Sequence, residues 1–199
     1  MAELVGARPG ERIADLCAAP GGKATALAAS GASVIAGDIQ PARAKMVREN
    51  AARLGQNTLA VVVADARRVP FPTGAFDRVL LDAPCTGLGA LRRRPDARWR
   101  ITPDAVGRLA GLQRDMIDAA VSLVRPGGVL VYSVCTLTVT ESTGVDGHGV
   151  DGHVASTWPE LVPLEAPPPP WEPWGRGARL LPQAKGTDGM MILRYRKTP

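Results

Sequence analysis

"RIADLCAAPGGKATALAASGASVIAGD", residues 12–38, is the stretch on which the fold turns. Residues 12–17 form a short apolar run that stops at Pro20, Gly21 and Gly22, and residues 23–30 (KATALAAS) are rich in helix formers. Residues 33–39 (SVIAGDI) are a second β-rich run, ending in Asp38. Strand, small-residue turn, short helix and strand make a β-α-β unit, and the punctuation by Pro and Gly sets its borders.

The same alternation continues down the chain. Pro41 opens and Gly55 closes a helical pattern, PARAKMVRENAARLG. Residues 59–65 (LAVVVAD) and 76–84 (FDRVLLDAP) are a third and a fourth strand, and residues 127–135 (GGVLVYSVC) a fifth after a helix over 102–124. These apolar runs are too continuous to be half exposed, which predicts a mostly parallel sheet with helices on both faces, an α/β class with right-handed crossovers. In such a sheet the ligand lies beyond the carboxyl ends of the strands. Cys17, Asp38, Asp65, Asp82, Cys85 and Cys135 all fall at such ends.

A chain of 199 residues suits one domain, residues 1–199. No run of about 18 apolar residues could span a bilayer, and the first residues lack a signal-peptide pattern, so a cytoplasmic protein without a membrane partner is expected. Three cysteines without a close pair argue against disulfides and against a Cys-rich zinc site. A net charge of +5 and a pI near 9.6 suit a polyanionic partner without selecting one. Residues 166–177 (APPPPWEPWGRG) read as a stiff polyproline-like surface loop, and residues 190–196 as a last strand, antiparallel at one side of the sheet.

The turn at Cys17–Lys23 is not a phosphate-binding loop, because Cys17 and Ala24 stand where that motif needs Gly and Ser or Thr. It also lacks the dinucleotide fingerprint. What is left is a small-residue turn, an acid at the end of the second strand suited to a ribose diol (Asp38), and an acid at the next strand end suited to an adenine amine (Asp65). Adenosine without phosphates fits, and S-adenosyl-L-methionine is the cofactor of that description.

DLCAAPGGK (15–23), LLDAPCTGLGALRRRPDARW (80–99), RPGGVLVYSVCTLT (125–138) and RLLPQAKGTDGMMILRYR (179–196) together resemble the NOP/Sun (Fmu) family of RNA 5-methylcytosine methyltransferases, in particular the bacterial type that modifies 16S ribosomal RNA. The resemblance implies a Rossmann-like class I methyltransferase sheet of seven strands in the order 3-2-1-4-5-7-6. It implies cofactor contacts from Cys17, Ala18, Ala19, Pro20, Gly21, Gly22, Lys23, Asp38, Asp65 and Asp82. It places the nucleophile on Cys135 and a second catalytic cysteine on Cys85. Cytosine C5 becomes nucleophilic once a thiolate adds to C6, Asp82 would meet the charge developing near N3, and Cys85 would assist release. A buried small hydrophobe is the plain alternative for Cys85. DNA cytosine methyltransferases, which use the Cys of a Pro-Cys pair, would make Cys85 the nucleophile instead.

Arg92, Arg93, Arg94, Arg98 and Arg100, with Trp99 among them, follow the Cys85 loop directly. Arginines hold phosphates and an aromatic ring can stack on an unpaired base, so these residues are the expected RNA contacts, although such a run can also be a solvated face. The target would be ribosomal RNA or, alternatively, transfer RNA; a catalytically silent RNA-binding or assembly protein is the other reading. About ten residues precede the first strand where the family carries an RNA-binding region, so RNA affinity is expected to need a partner or a preceding domain. Val134 stands where the family has Thr, and GVDGH is doubled over 144–153 with His148 and His153; no metal is assigned.

Overall fold

The computed structural model describes residues 1–143 and 149–199, and of Lys185 the backbone alone. The first GVDGH copy and His148 lie outside the described residues. In chain order the elements are α1 (Ala2–Val5), β1 (Arg12–Asp15), α2 (Gly22–Ala28), β2 (Ser33–Asp38), α3 (Pro41–Arg53), β3 (Leu59–Val63) and β4 (Phe76–Asp82). There follow a 3-10 turn (Leu88–Ala90), α4 (Ala97–Arg100), α5 (Pro103–Leu123), β5 (Val124–Val134), α6 (Val150–Thr157), β6 (Leu161–Pro163), β7 (Glu172–Trp174), β8 (Gly177–Leu180), α7 (Pro182–Lys185) and β9 (Met190–Lys197). They fall into two compact units: Met1–Asp82, Met116–Val131 and Lys197–Pro199 in the first, Ala83–Asp115 and Tyr132–Arg196 in the second.

In the first unit the strand order is β3-β2-β1-β4-β5. β1 runs parallel to both neighbours, with Asp15 opposite Ala36 on β2 and Leu80 on β4, and Asp38 of β2 is level with Val63 of β3. This register brings the carboxyl ends of the strands to one rim of the unit. Consecutive residues of β1 (Ile13, Ala14, Asp15), β4 (Val79, Leu80, Leu81) and β5 (Val129, Leu130, Val131) are buried, as a strand covered on both faces requires. β3 departs from that expectation: it is outermost in the order, and Val63 is 52% exposed. Its apolar run reflects β propensity rather than a place in the core. α3 turns Ala44, Val47 and Ala51 inward at helical spacing and leaves its charged residues outside.

In the second unit the end of β5 is followed by β9, β8 and β7, with β6 also on β9. Two sequence expectations need correction here. The strand at 190–196 is not at a side of the sheet: β9 has neighbours on both sides, pairing antiparallel with β8 along Met190–Ile192 and meeting Leu164 at Arg194. The Pro-rich 166–177 is not all loop: its end forms β7 and leads into β8, a hairpin that brings the strands among the described residues to nine where seven were expected. Pro173 is tolerated because β7 ends the order, where a missing N–H leaves no partner unpaired. The Tyr195 hydroxyl donates to Asp151 at 2.6 Å and Arg176 pairs with the same carboxylate at 3.1 Å, which ties β9, α6 and the turn of the hairpin together.

Candidate active site

In the first unit the turn after β1 is held from three sides. Ala18 N–H donates to Gly37 C=O on β2 at 2.8 Å. From α3, Asn50 donates to Pro20 C=O at 2.8 Å and Arg43 to Ala19 C=O at 3.3 Å. Gly21 takes φ +111°, and a Cβ there would stand 3.1 Å from Val47 Cα, so the turn passes too close to α3 for any other residue. Gly22, by contrast, faces open space, with nothing within 4 Å of an added Cβ. The acids stand around this turn. Asp38 accepts from Gln40 N–H and from Arg43, both at 3.0 Å. Asp82 pairs with Lys23 at 2.7 Å. Asp65 is gripped by Arg67 through both carboxylate oxygens, the nearest contact being 2.6 Å, and Arg67 holds its carboxyl below the usual range.

Asp15, at the end of β1, is 1% exposed, and neither carboxylate oxygen completes a hydrogen bond. Burial, with Asp82 close by, pushes its carboxyl up to about 7; Lys23 and the nearby Cys17 N–H pull weakly the other way. Burial also pushes the Cys17 thiol up to about 12, so Cys17 stays protonated at neutral pH. A turn open at Gly22, acids at the strand ends and a buried carboxyl short of a cation fit a ligand that carries a ribose diol and positive charge, as S-adenosylmethionine does.

In the second unit Cys85 and Cys135, fifty residues apart in the chain, put their sulfurs 3.4 Å apart. Losing a proton from Cys85 would set a second negative charge against the Cys135 sulfur in a buried place, and this contact, with burial, pushes the Cys85 thiol far above its usual range. The pair therefore resists losing both protons, and one sulfur can donate its S–H to the other. Behind them stands Glu141, fully buried. Its Oε1 accepts from Thr86 N–H (2.9 Å) and Gln113 Nε2 (3.0 Å), and its Oε2 from the hydroxyls of Thr86 (2.6 Å) and Thr138 (2.7 Å).

A family model described as "16S rRNA methyltransferase RsmB/F" matches residues 2–196. The chain belongs to this family. Ribosomal RNA small subunit methyltransferase B of Thermus thermophilus is 41% identical over 197 residues, 98% of this chain and 47% of the relative. The protein of the same name from Erwinia tasmaniensis is 38% identical over 190 residues, 94% of this chain and 42% of the relative. The chain thus spans less than half the length of these curated relatives. Among solved structures, NSun6 from Pyrococcus horikoshii, crystallised with SFG, superposes with a TM-score of 0.84 at 32% identity, covering all of this chain and 50% of that one. The fold is the Rossmann-like α/β fold of methyltransferases.

The GTDG segment, residues 186–189, also has a place in the second unit. Gly189 N–H donates to Gly89 C=O (2.7 Å) and Gly89 N–H to Cys135 C=O (3.0 Å), so the 3-10 turn ties the Cys135 loop to the approach of β9. A Cβ on Gly89 would lie 2.0 Å from Gly189 O and 3.0 Å from Cys135 O. Gly89→Ala is therefore expected to lower stability by about 1–3 kcal/mol, measured by urea unfolding, and to raise the rate at which iodoacetamide modifies Cys135. Arg92, Arg93, Arg94, Arg98 and Arg100 are all exposed, Trp99 is 80% exposed, and the Arg98 guanidinium lies 5.0 Å from its ring. Arg93 is also paired with Asp188, and Arg100 with Asp96.

Among the described residues no group of His, Cys, Asp and Glu could hold a metal ion, and no helix is long and apolar enough to cross a membrane. Sequence reasoning passed over Arg43, Asn50, Asp15, Gln113 and Glu141. Only Asp15 carried a signal, as an acid closing an apolar run next to Cys17.

Proposed function

We propose that this chain is the catalytic domain of an S-adenosylmethionine-dependent RNA methyltransferase that forms 5-methylcytosine, with small-subunit ribosomal RNA as substrate. The 3.4 Å contact between Cys85 and Cys135 carries this reading, because a lone packing cysteine needs no second thiol and cytosine C5 chemistry uses one sulfur to add and one to assist release. Bound S-adenosylmethionine supplies an electrophilic methyl group. The Cys17–Lys23 turn would cradle its amino acid end, Asp38 would take the ribose diol, and Asp65 the adenine amine. Cys135 thiolate adds to C6 of the cytosine, which moves electron density to C5. The Cys85 S–H, kept protonated by its neighbour, orients that thiolate. With Cys85 assisting release, the C5 proton passes to solvent water, the C5–H electron pair restores the C5=C6 double bond, and the Cys135–C6 bond breaks with its pair returning to sulfur as the thiolate.

Incubation of the chain with tritium-labelled S-adenosylmethionine and unmodified small-subunit RNA, then digestion to nucleosides, tests this directly. Label in 5-methylcytidine is the expected result. Label on transfer RNA alone would move the substrate, and cofactor binding without any transfer would leave a silent RNA-binding protein. The exposed Arg and Trp run is assigned to the RNA. Trp99→Ala is expected to weaken RNA binding by about 1–3 kcal/mol through lost base stacking, with an unchanged salt slope. Arg94→Ala is expected to reduce that slope by about one. Filter binding over a salt series separates the two.

A further inference from the structure

We propose that Glu141 is a positioning residue for the thiol pair, one buried carboxylate that holds the Cys85 and Cys135 loops together. The proposal rests on the reading of the pair as the reactive groups. Its geometry lies within the second unit.

A carboxylate only accepts hydrogen bonds, and Glu141 meets four donors, two on each oxygen. Because the Thr86 hydroxyl proton is committed to Glu141, the contact of 2.9 Å between Thr86 and Thr136 runs from the Thr136 hydroxyl to Thr86 Oγ1. Gln113 uses its amide group twice, on Glu141 and on Pro84 C=O at 2.9 Å. The residues on both sides of Cys85, and the residue after Cys135, are thereby hung from one side chain. Its own backbone is pinned in turn, since the Tyr132 hydroxyl donates to Glu141 C=O at 2.7 Å.

None of these partners is Lys or Arg. The charge is solvated by dipoles alone, so its field persists at the sulfurs, in surroundings that screen poorly. Glu141 adds to the effects that keep the Cys85 thiol protonated. Arg93, exposed and paired with Asp188, is a cation that also interacts with Cys135. Glu141, on this proposal, limits the pair to one ionisation.

The test follows iodoacetamide alkylation of each cysteine against pH by mass spectrometry, in the wild-type chain and two variants. Glu141→Gln keeps the shape and removes the charge; the pH of half-maximal alkylation at Cys135 should fall by roughly 0.5–1 unit, with Cys85 no longer protected. Thr138→Val removes one donor and leaves the charge less neutralised, so its profile should move the other way. Opposite shifts support the proposal, and should accompany a lower kcat for methylation with an unchanged KM for S-adenosylmethionine. Profiles that coincide with the wild type overturn it. If Glu141→Gln fails to fold, Thr138→Val alone decides by the same criterion. A wild-type chain that does not methylate RNA while the alkylation shifts are seen overturns the functional reading and leaves the positioning role standing.

Discussion

Cys85→Ala is expected to turn the protein into a trap: incubated with RNA and S-adenosylmethionine, it should run on a denaturing gel as a covalent protein–RNA species, while Cys135→Ala gives neither adduct nor product. The two sulfurs are in contact, yet they are not equivalent. Ionisation of Cys85 beside the Cys135 sulfur is strongly opposed, and on the proposed assignment the thiolate is Cys135. Only an anionic sulfur adds to C6. Removing Cys135 should thus cost on the order of 10⁴-fold or more in rate, the scale on which loss of a covalent nucleophile is felt. Removing Cys85 leaves addition possible and obstructs release. Cys17→Ala should do neither, because Cys17 remains a neutral thiol at working pH. An adduct that forms with Cys135→Ala and vanishes with Cys85→Ala would assign the nucleophile to the Pro-Cys pair and reverse the roles.

The β-α-β alternation could be read from sequence because the inner parallel strands are sealed on both faces and so must be apolar residue after residue, as Val79, Leu80 and Leu81 are. Asp38, Asp82, Cys85 and Cys135 stood out as candidates for a related reason: each lies at or just past the end of such a run. The hairpin Glu172–Leu180 was hidden, since its β7 strand has Pro173 at its centre and gains its pairing from β8 rather than from its own pattern. Glu141 was hidden more deeply. Its place depends on donors at 86, 113 and 138, contributed by three separate segments, and no local period links them. Asp15 stood in plain view beside Cys17, but whether an acid at a strand end is paired is a property of its neighbours in space. Lys23, which might have neutralised it, is given to Asp82.

That unpaired acid has a measurable consequence. Folding holds the proton on Asp15 until about pH 7, whereas in an unfolded chain an aspartate gives it up near 3.8. The sign follows from linkage: between these two values the folded state binds one proton more than the unfolded state, so this group makes stability fall as pH rises, and the fall is complete above the folded value. At 1.36 kcal/mol per unit the loss is about 4 kcal/mol at most. Asp15→Asn cannot ionise. Its buried amide costs about 1–3 kcal/mol where it lacks partners, but that cost is the same at every pH. Urea unfolding of both proteins at pH 5 and at pH 8.5 should show the wild type losing about 2.5–3 kcal/mol more than the variant across the interval, the remainder of the loss lying below pH 5, since groups elsewhere titrate alike in both and cancel. A saturating cationic ligand at the Cys17–Lys23 turn should reduce the wild-type loss and leave the variant's unchanged. Parallel pH profiles for the two proteins without ligand would mean that the Asp15 carboxyl has found a partner, and the positive charge of the methyl donor would then have no buried acid waiting for it.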